Sequence, residues 1–161
     1  MLSLAVEVVA MDVPKTKIIL AADHAGFELK EKLKKFLQQS DISFEDYSPK
    51  LVNEDDYPDV AFKAAQRVAK AKEMGVFICG TGIGMCIAAN KVKGIRATMA
   101  YDEVTARLSR QHNDANVLCL GGRLTDEKTA ISILKIWLNT RFLEGHYTRR
   151  NEKIHRFEGG L

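Results

Sequence analysis

A chain of 161 residues with 46% hydrophobic and 28% charged positions fits one compact globular domain and argues against a disordered tail or a membrane span. Its net charge of +3 falls short of the basic footprint of a nucleic-acid binder, which leaves small anions as charged partners. Cys79, Cys86 and Cys119 are odd in number and lack C-x-x-C spacing, so a cytoplasmic protein without structural zinc or disulfides is expected.

Residues 1–16 carry an apolar stretch interrupted by Glu7 and preceded by no basic leader, and read as a loose extension rather than a signal peptide. A single domain is expected over residues 17–161. From Lys17 to Ala22 the chain is short, apolar and β-branched, and the period then changes to place Leu29, Leu33, Phe36 and Leu37 on one helical face. Lys30, Lys32, Lys34 and Lys35 alternate with that stripe and read as solvated. The stretch from Ile42 to Tyr47 alternates like a half-buried strand, and a polar loop from Ser48 to Asp56 leads to an alanine-rich helix from Pro58 to Lys72. Gly75 to Cys79 predicts a third, buried strand, running into Gly80-Thr81-Gly82-Ile83-Gly84 and a helix through Ala88 and Ala89. Strands from Ile95 to Ala100 and from Asn116 to Leu120 each lead into a helix. The last helix has Thr125 as its expected N-cap and Ile131, Leu134, Trp137 and Leu138 on its buried stripe.

Five strand-helix units in alternation imply a Rossmann-like, doubly wound α/β domain, a five-stranded parallel sheet with helices on both faces. Ligands of such sheets bind beyond the carboxyl ends of the strands, where strand order reverses. Asp23 and His24 follow the first strand, Asp46 and Tyr47 end the second, Cys79 and its glycines close the third, and Gly121-Gly122-Arg123 follow the fifth.

Cys79 stands directly before glycines that open a helix, a position where amide donors and the helix dipole stabilise a thiolate. Taken alone, a lone cysteine is more often a small core side chain. Gly80, Gly82 and Gly84 leave backbone N–H groups able to approach a phosphate or a developing oxyanion. Arg110-Gln111-His112-Asn113-Asp114 ends the fourth helix with groups that donate, accept and titrate, and is expected at the same rim as Asp23-His24. The basic segment from His146 to Lys153, and Arg123, can clamp a phosphate. Asp56, before Tyr57-Pro58-Asp59, is either a loop carboxylate facing substrate or a helix-start signal. Cys86 and Cys119 read as packing residues. A dinucleotide site is the rival reading, with Asp102 about twenty residues past the glycines. The run is G-x-G-x-G after the third strand, however, not G-x-G-x-x-G after the first.

Asp23-His24-Ala25-Gly26, Asp56-Tyr57-Pro58-Asp59, Cys79 to Gly84, Ala88-Ala89-Asn90-Lys91 and Ser109 to Asn116 together resemble the type B ribose-5-phosphate isomerases, in order from about Lys17 to Phe157. The wider family includes galactose-6-phosphate and allose-6-phosphate isomerases. The resemblance implies interconversion of ribose 5-phosphate and ribulose 5-phosphate through an enediolate, with Cys79 as base and the glycine-rich amides holding the enediolate oxygen. Relatives that replace this cysteine place a glutamate where this chain has Met85, so the cysteine branch is implied. It further implies that His112 opens the sugar ring, with Thr81 or Asp23 nearby, and that Asp56 moves a proton between the sugar oxygens. Phosphate is expected among His24, Arg123 and Arg150; Tyr47 and Asn113 complete the expected substrate contacts. His146 departs from the family, which has an arginine four residues before Arg150. No cofactor and no metal are expected. A homodimer, or a dimer of dimers, is implied, with each site built from two chains. Isomerisation of a 6-phosphohexose is the alternative, and a non-catalytic phosphosugar sensor or nucleotide-binding domain a more distant one.

Overall fold

A computed structural model describes residues 17–160; the expected extension over residues 1–16 lies outside them. The elements in chain order are β1 (Ile18–Ala22), α1 (Phe27–Gln39), β2 (Phe44–Asp46), α2 (Tyr57–Ala71), β3 (Met74–Cys79), α3 (Ile83–Ala89), β4 (Ala97–Met99), α4 (Glu103–Asn113), β5 (Val117–Gly121), α5 (Glu127–Asn139) and α6 (His146–Glu158). The five strands form one sheet in the order β2-β1-β3-β5-β4, and every pairing is parallel. No helix among the described residues is long and apolar enough to cross a membrane.

The central strands β1, β3 and β5 are buried throughout, as continuous apolar runs must be when helices cover both faces, whereas the edge strands β2 and β4 are three residues each. Alternate residues divide between two cores. Ile18, Leu20, Val76, Ile78, Leu118 and Leu120 pack against α1, α4 and α5, with Trp137 fully buried among them. Ile19, Ala21, Phe77, Val117 and Cys119 face α2 and α3, where Ala61, Ala64, Ala65 and Ala88 allow close approach. The fold is therefore the doubly wound sheet that the sequence predicts. Because β1 turns into a helix on one face and β3 into a helix on the other, their carboxyl ends flank the point where strand order reverses.

Three local readings change. The N-cap of α5 is Asp126, which accepts from the Thr129 N–H at 3.1 Å, rather than Thr125. Asp102, offered by the dinucleotide reading, is occupied as the N-cap of α4 in a reciprocal box with Thr105, 2.7 Å from its N–H. Lys30 is not solvated: it is fully buried, its Nζ donating to Asp46 Oδ2 at 2.7 Å, Asp46 Oδ1 at 2.9 Å and the Ser48 carbonyl at 2.6 Å. Lying three and seven residues before Leu33 and Leu37, it belongs to the apolar face of α1, and a buried ammonium there requires a carboxylate and hydrogen-bond acceptors.

Candidate active site

The turns after β1, β3 and β5 are packed together through glycines. Gly26 lies so near β3 that a Cβ there would stand 2.3 Å from the Ile78 carbonyl oxygen, which no side chain permits. Gly122 donates to the Cys79 carbonyl at 2.7 Å, and Arg123 N–H to the Gly80 carbonyl at 3.0 Å, which ties the β5 turn to the β3 turn. Cys79 ends β3 at 4% exposure, its side chain part of the core beneath α2 and α3. Its Sγ accepts the Gly82 N–H at 3.2 Å. Gly82 aims that amide only because its φ is +84°, a left-handed conformation that a β-carbon disfavours. Thr81, exposed, holds the same turn by accepting the Ile83 N–H at 3.3 Å.

Polar side chains ring this turn. The Arg123 guanidinium lies over Gly80, within 3.3 Å of where a Cβ would stand, and the Tyr57 ring lies over Gly84. Asp23, 6% exposed, accepts the Gly26 N–H at 2.9 Å; burial pushes its carboxyl above the ordinary value despite that bond and the neighbouring His24. His24 is held by Asp55, whose Oδ1 accepts both its backbone N–H at 2.8 Å and its Nδ1 at 3.0 Å. Asp56 sits exposed at the N-cap position of α2 without a side-chain capping bond. Tyr47, just after β2, packs against the core under α2; burial and Glu45 raise its phenol. Sequence reasoning thus missed Tyr57 and Asp55, both adjacent to residues it did select.

His112, Asn113, His146 and Arg150 do not join this group. In a parallel strand-helix-strand unit the helix runs back, so the C-terminus of α4 lies at the amino end of the sheet. Bonds there bear this out: Asn116, just after α4, accepts the N–H of Gly75 in β3 at 2.8 Å, and the Arg96 guanidinium, just before β4, donates to the Asn113 carbonyl at 2.9 Å. His112 stacks on Tyr147 of α6 with centroids 4.3 Å apart and planes 9° apart; His146 lies 3.9 Å from Tyr147 and the Arg150 guanidinium 5.7 Å. The expectation of a single rim is corrected: α4, about 16 Å long for its eleven residues, stands between two clusters on opposite ends of one chain. One cluster supplies a thiol, amides, His24 and Arg123; the other supplies two histidines and Arg150 as a cationic, aromatic surface.

The other two thiols belong to neither cluster. Cys86, half-buried on α3, has its Sγ 3.5 Å from the Ala97 carbonyl; a hydrogen bond from Cys119 lowers its pKa to about 7, opposed by burial and assisted by Asn90. Burial raises fully buried Cys119 well above the ordinary thiol value.

A doubly wound sheet whose reversal point carries a thiol in an amide-lined turn, flanked by imidazole and guanidinium, defines an α/β enzyme of small anionic substrates. The family profile described as Ribose/Galactose Isomerase matches residues 18–154. The chain belongs to that family and is a sugar-phosphate isomerase. It is 43% identical over 144 residues to the probable ribose-5-phosphate isomerase B of Mycoplasma genitalium, covering 88% of this chain and 95% of that protein. It is 40% identical over 143 residues to the D-erythrulose-4-phosphate isomerase of Pectobacterium atrosepticum, covering 88% and 94%. Among solved structures, ribose-5-phosphate isomerase B of Mycoplasma genitalium with bound ribulose-5-phosphate superposes with a TM-score of 0.87 at 41% identity, covering 90% of this chain and 97% of that one.

Proposed function

We propose that this chain interconverts ribose 5-phosphate and ribulose 5-phosphate in the cytoplasm, with Cys79 as the base. The observation that carries the reading is the Gly82 N–H held 3.2 Å from Cys79 Sγ inside the turn at the sheet's reversal point. Isomerisation requires removal of the proton on the carbon next to the aldehyde, its return to the aldehyde carbon, and transfer of a hydroxyl proton between the two oxygens. The Cys79 thiolate takes and returns the carbon-bound proton. Asp56 carries the oxygen-bound proton, and amides of the Gly80–Gly84 turn not already bonded to Cys79 Sγ or Thr81 Oγ1 hold the oxygen on which charge develops. A positioned base is worth about 10² to 10⁴ in rate, and each preorganised oxyanion donor about 10² to 10³. Two such devices side by side account for a large share of the acceleration.

Ring opening needs a group that donates and accepts, and His112 fits that role only from a second copy of the chain. We infer a homodimer in which the amino-end cluster of one copy faces the carboxyl-end turn of the other. Arg123 then acts within its own chain, while the partner's His112, Asn113, His146 and Arg150 complete the site. Phosphate lies among His24, Arg123 and the partner's Arg150. His146 meets that phosphate as a cation only when protonated, unlike a guanidinium.

A coupled assay on ribose 5-phosphate, erythrulose 4-phosphate, allose 6-phosphate and galactose 6-phosphate tests the substrate. Fastest turnover on ribose 5-phosphate is expected; a faster hexose or tetrose phosphate replaces the pentose assignment. Cys79→Ala should fold and bind ribose 5-phosphate yet lose isomerisation by several orders of magnitude. Near-normal turnover in that variant removes Cys79 as the base.

A further inference from the structure

Asp55 reaches His24 across 31 positions of sequence, from the β2–α2 loop to the turn after β1. One carboxylate oxygen receives two donors, the His24 backbone N–H at 2.8 Å and its Nδ1 at 3.0 Å. The Asp55 side chain is 17% exposed and the His24 ring 37%, so the bond is sheltered while the ring keeps an open edge. An ionised carboxylate only accepts, so the hydrogen of the neutral ring must be on Nδ1. Nε2 then faces outward as an acceptor, or as a donor once the ring takes up a second proton.

We propose that Asp55 is a positioning residue: it fixes the His24 ring in the Nδ1–H tautomer and presents Nε2 to the anionic end of the substrate. The inference rests on the phosphosugar reading and deepens it, since neither the family resemblance nor the glycine turn assigns Asp55 a role. In water the neutral histidine ring favours hydrogen on Nε2, the reverse of what this bond imposes. Removing the carboxylate therefore lets the ring turn, so that Nε2 no longer stays where an arriving phosphate meets it. The charged groups facing His24 are Asp55 and, from its own turn, Asp23, with Arg123 on the neighbouring turn over Gly80. Asp23 is itself engaged by the Gly26 N–H at 2.9 Å. Asp55 is thus the carboxylate bonded to the ring.

The test is long-range 1H–15N correlation of the histidine rings in the full chain at alkaline pH, with a parallel titration by inorganic phosphate at about pH 6, where an imidazole carries the second proton that phosphate accepts. The wild-type ring should show the Nδ1–H pattern. Asp55→Ala should shift His24 towards Nε2–H, weaken phosphate binding about tenfold, by analogy with losing the carboxylate that orients a metal-bound histidine, and raise KM for the phosphosugar with little change in kcat. Asp55→Asn, whose side-chain oxygen still accepts, should recover most of the wild-type tautomer and affinity. An Nε2–H pattern in the wild type overturns the proposal even if Asp55→Ala fails to fold. So does an Asp55→Ala protein with unchanged tautomer and phosphate affinity. Neither readout needs turnover: absent isomerisation beside the expected tautomer counts against the isomerase reading alone.

Discussion

The Nζ of Lys30 and Oδ2 of Asp46 lie 2.7 Å apart, joining α1 to the edge strand β2 through a pair whose ammonium has no exposure. The pair also anchors the site: Lys30 holds the Ser48 carbonyl at 2.6 Å, and Ser48 Oγ accepts the N–H of Ala22, the residue before Asp23, at 2.8 Å. Burial alone would raise the Asp46 carboxyl, but Lys30, the Ser48 N–H and Lys34 together hold it below the ordinary value. Lys30→Met strips the buried carboxylate of its main partner and leaves only Lys34, at 3.1 Å, and the Ser48 N–H, at 3.0 Å, so a loss of about 3 kcal/mol, the low end for a broken buried pair, is expected in urea unfolding at neutral pH.

The sign of the pH dependence follows from the depressed carboxyl. Asp46 is charged in both states above the unfolded carboxylate value of about 3.9, where its contribution is complete, and that contribution is lost as pH falls through the lower folded value. The gap in stability between wild type and Lys30→Met should therefore be full at pH 6 to 8 and shrink in strong acid. A gap that widens on acidification would mean the pair is not what holds α1 to β2.

Cys86 should be the thiol that reagents find first, and it should not be the base. Its pKa of about 7 owes most to the hydrogen bond from Cys119. Alkylation by iodoacetamide, followed residue by residue through peptide mass spectrometry, should rise as pH passes through 7 at Cys86 and stay absent at Cys119. Cys119→Ala removes the donor and should move the Cys86 midpoint upward, towards an ordinary thiol. Cys86→Ala should leave turnover nearly intact, because its Sγ is turned to the Ala97 carbonyl and away from the Gly82 amide. An unchanged midpoint in Cys119→Ala sinks the hydrogen-bond account.

Much of this arrangement is legible in the sequence, for physical reasons that do not reach every residue of the site. Continuous apolar runs at β1, β3 and β5 can only be strands covered on both faces, and the glycines after Cys79 can only be a tight turn into a helix. Alternating lysines suggest solvent, yet the spacing of Lys30 to Leu33 and Leu37 puts it on the buried stripe, and there the structure finds it. The separation of His112 from Cys79 is implicit in the alternation of strand and helix, since a helix after β4 must end at the amino end of the parallel strands, opposite the end that carries Cys79. Asp55 and Tyr57 were not recoverable in this way. Which of two adjacent loop aspartates turns to His24, and which tyrosine covers Gly84, depends on how a long irregular loop folds back, and periodicity carries no such information.

Glycines at the two neighbouring turns should respond differently to the same added methyl. At Gly26 the new Cβ meets backbone, 2.3 Å from the Ile78 oxygen and 2.9 Å from the Cys79 nitrogen, on a central strand that cannot give way. Gly26→Ala should lower stability by at least about 1 to 3 kcal/mol, the usual range for overpacking, and reduce kcat by displacing Cys79. At Gly80 it meets the end of a flexible side chain, Arg123 Nη1 at 3.3 Å. Gly80→Ala should fold with a near-normal Tm and raise KM through Arg123. Thermal melts paired with steady-state kinetics distinguish the two, and equal loss of stability would mean that the turns do not pack as described.

Mixing two inactive variants tests whether the site is shared. If Cys79 and His112 act on the same substrate from different copies, Cys79→Ala and His112→Ala chains are each inactive alone. Unfolded together and reassembled, half of the resulting dimers pair one chain of each kind. In such a dimer one site carries both lesions, while the other joins an intact Cys79 to the partner's intact His112. Random pairing then restores about one quarter of wild-type activity, because one site in two is whole in half of the dimers. Were both residues to act within one chain, every site in every mixture would carry a lesion and activity would stay at the level of the separate variants. The opposite ends that α4 imposes on these two residues make the first outcome the expected one, and the second would require the helix to run the other way along the sheet.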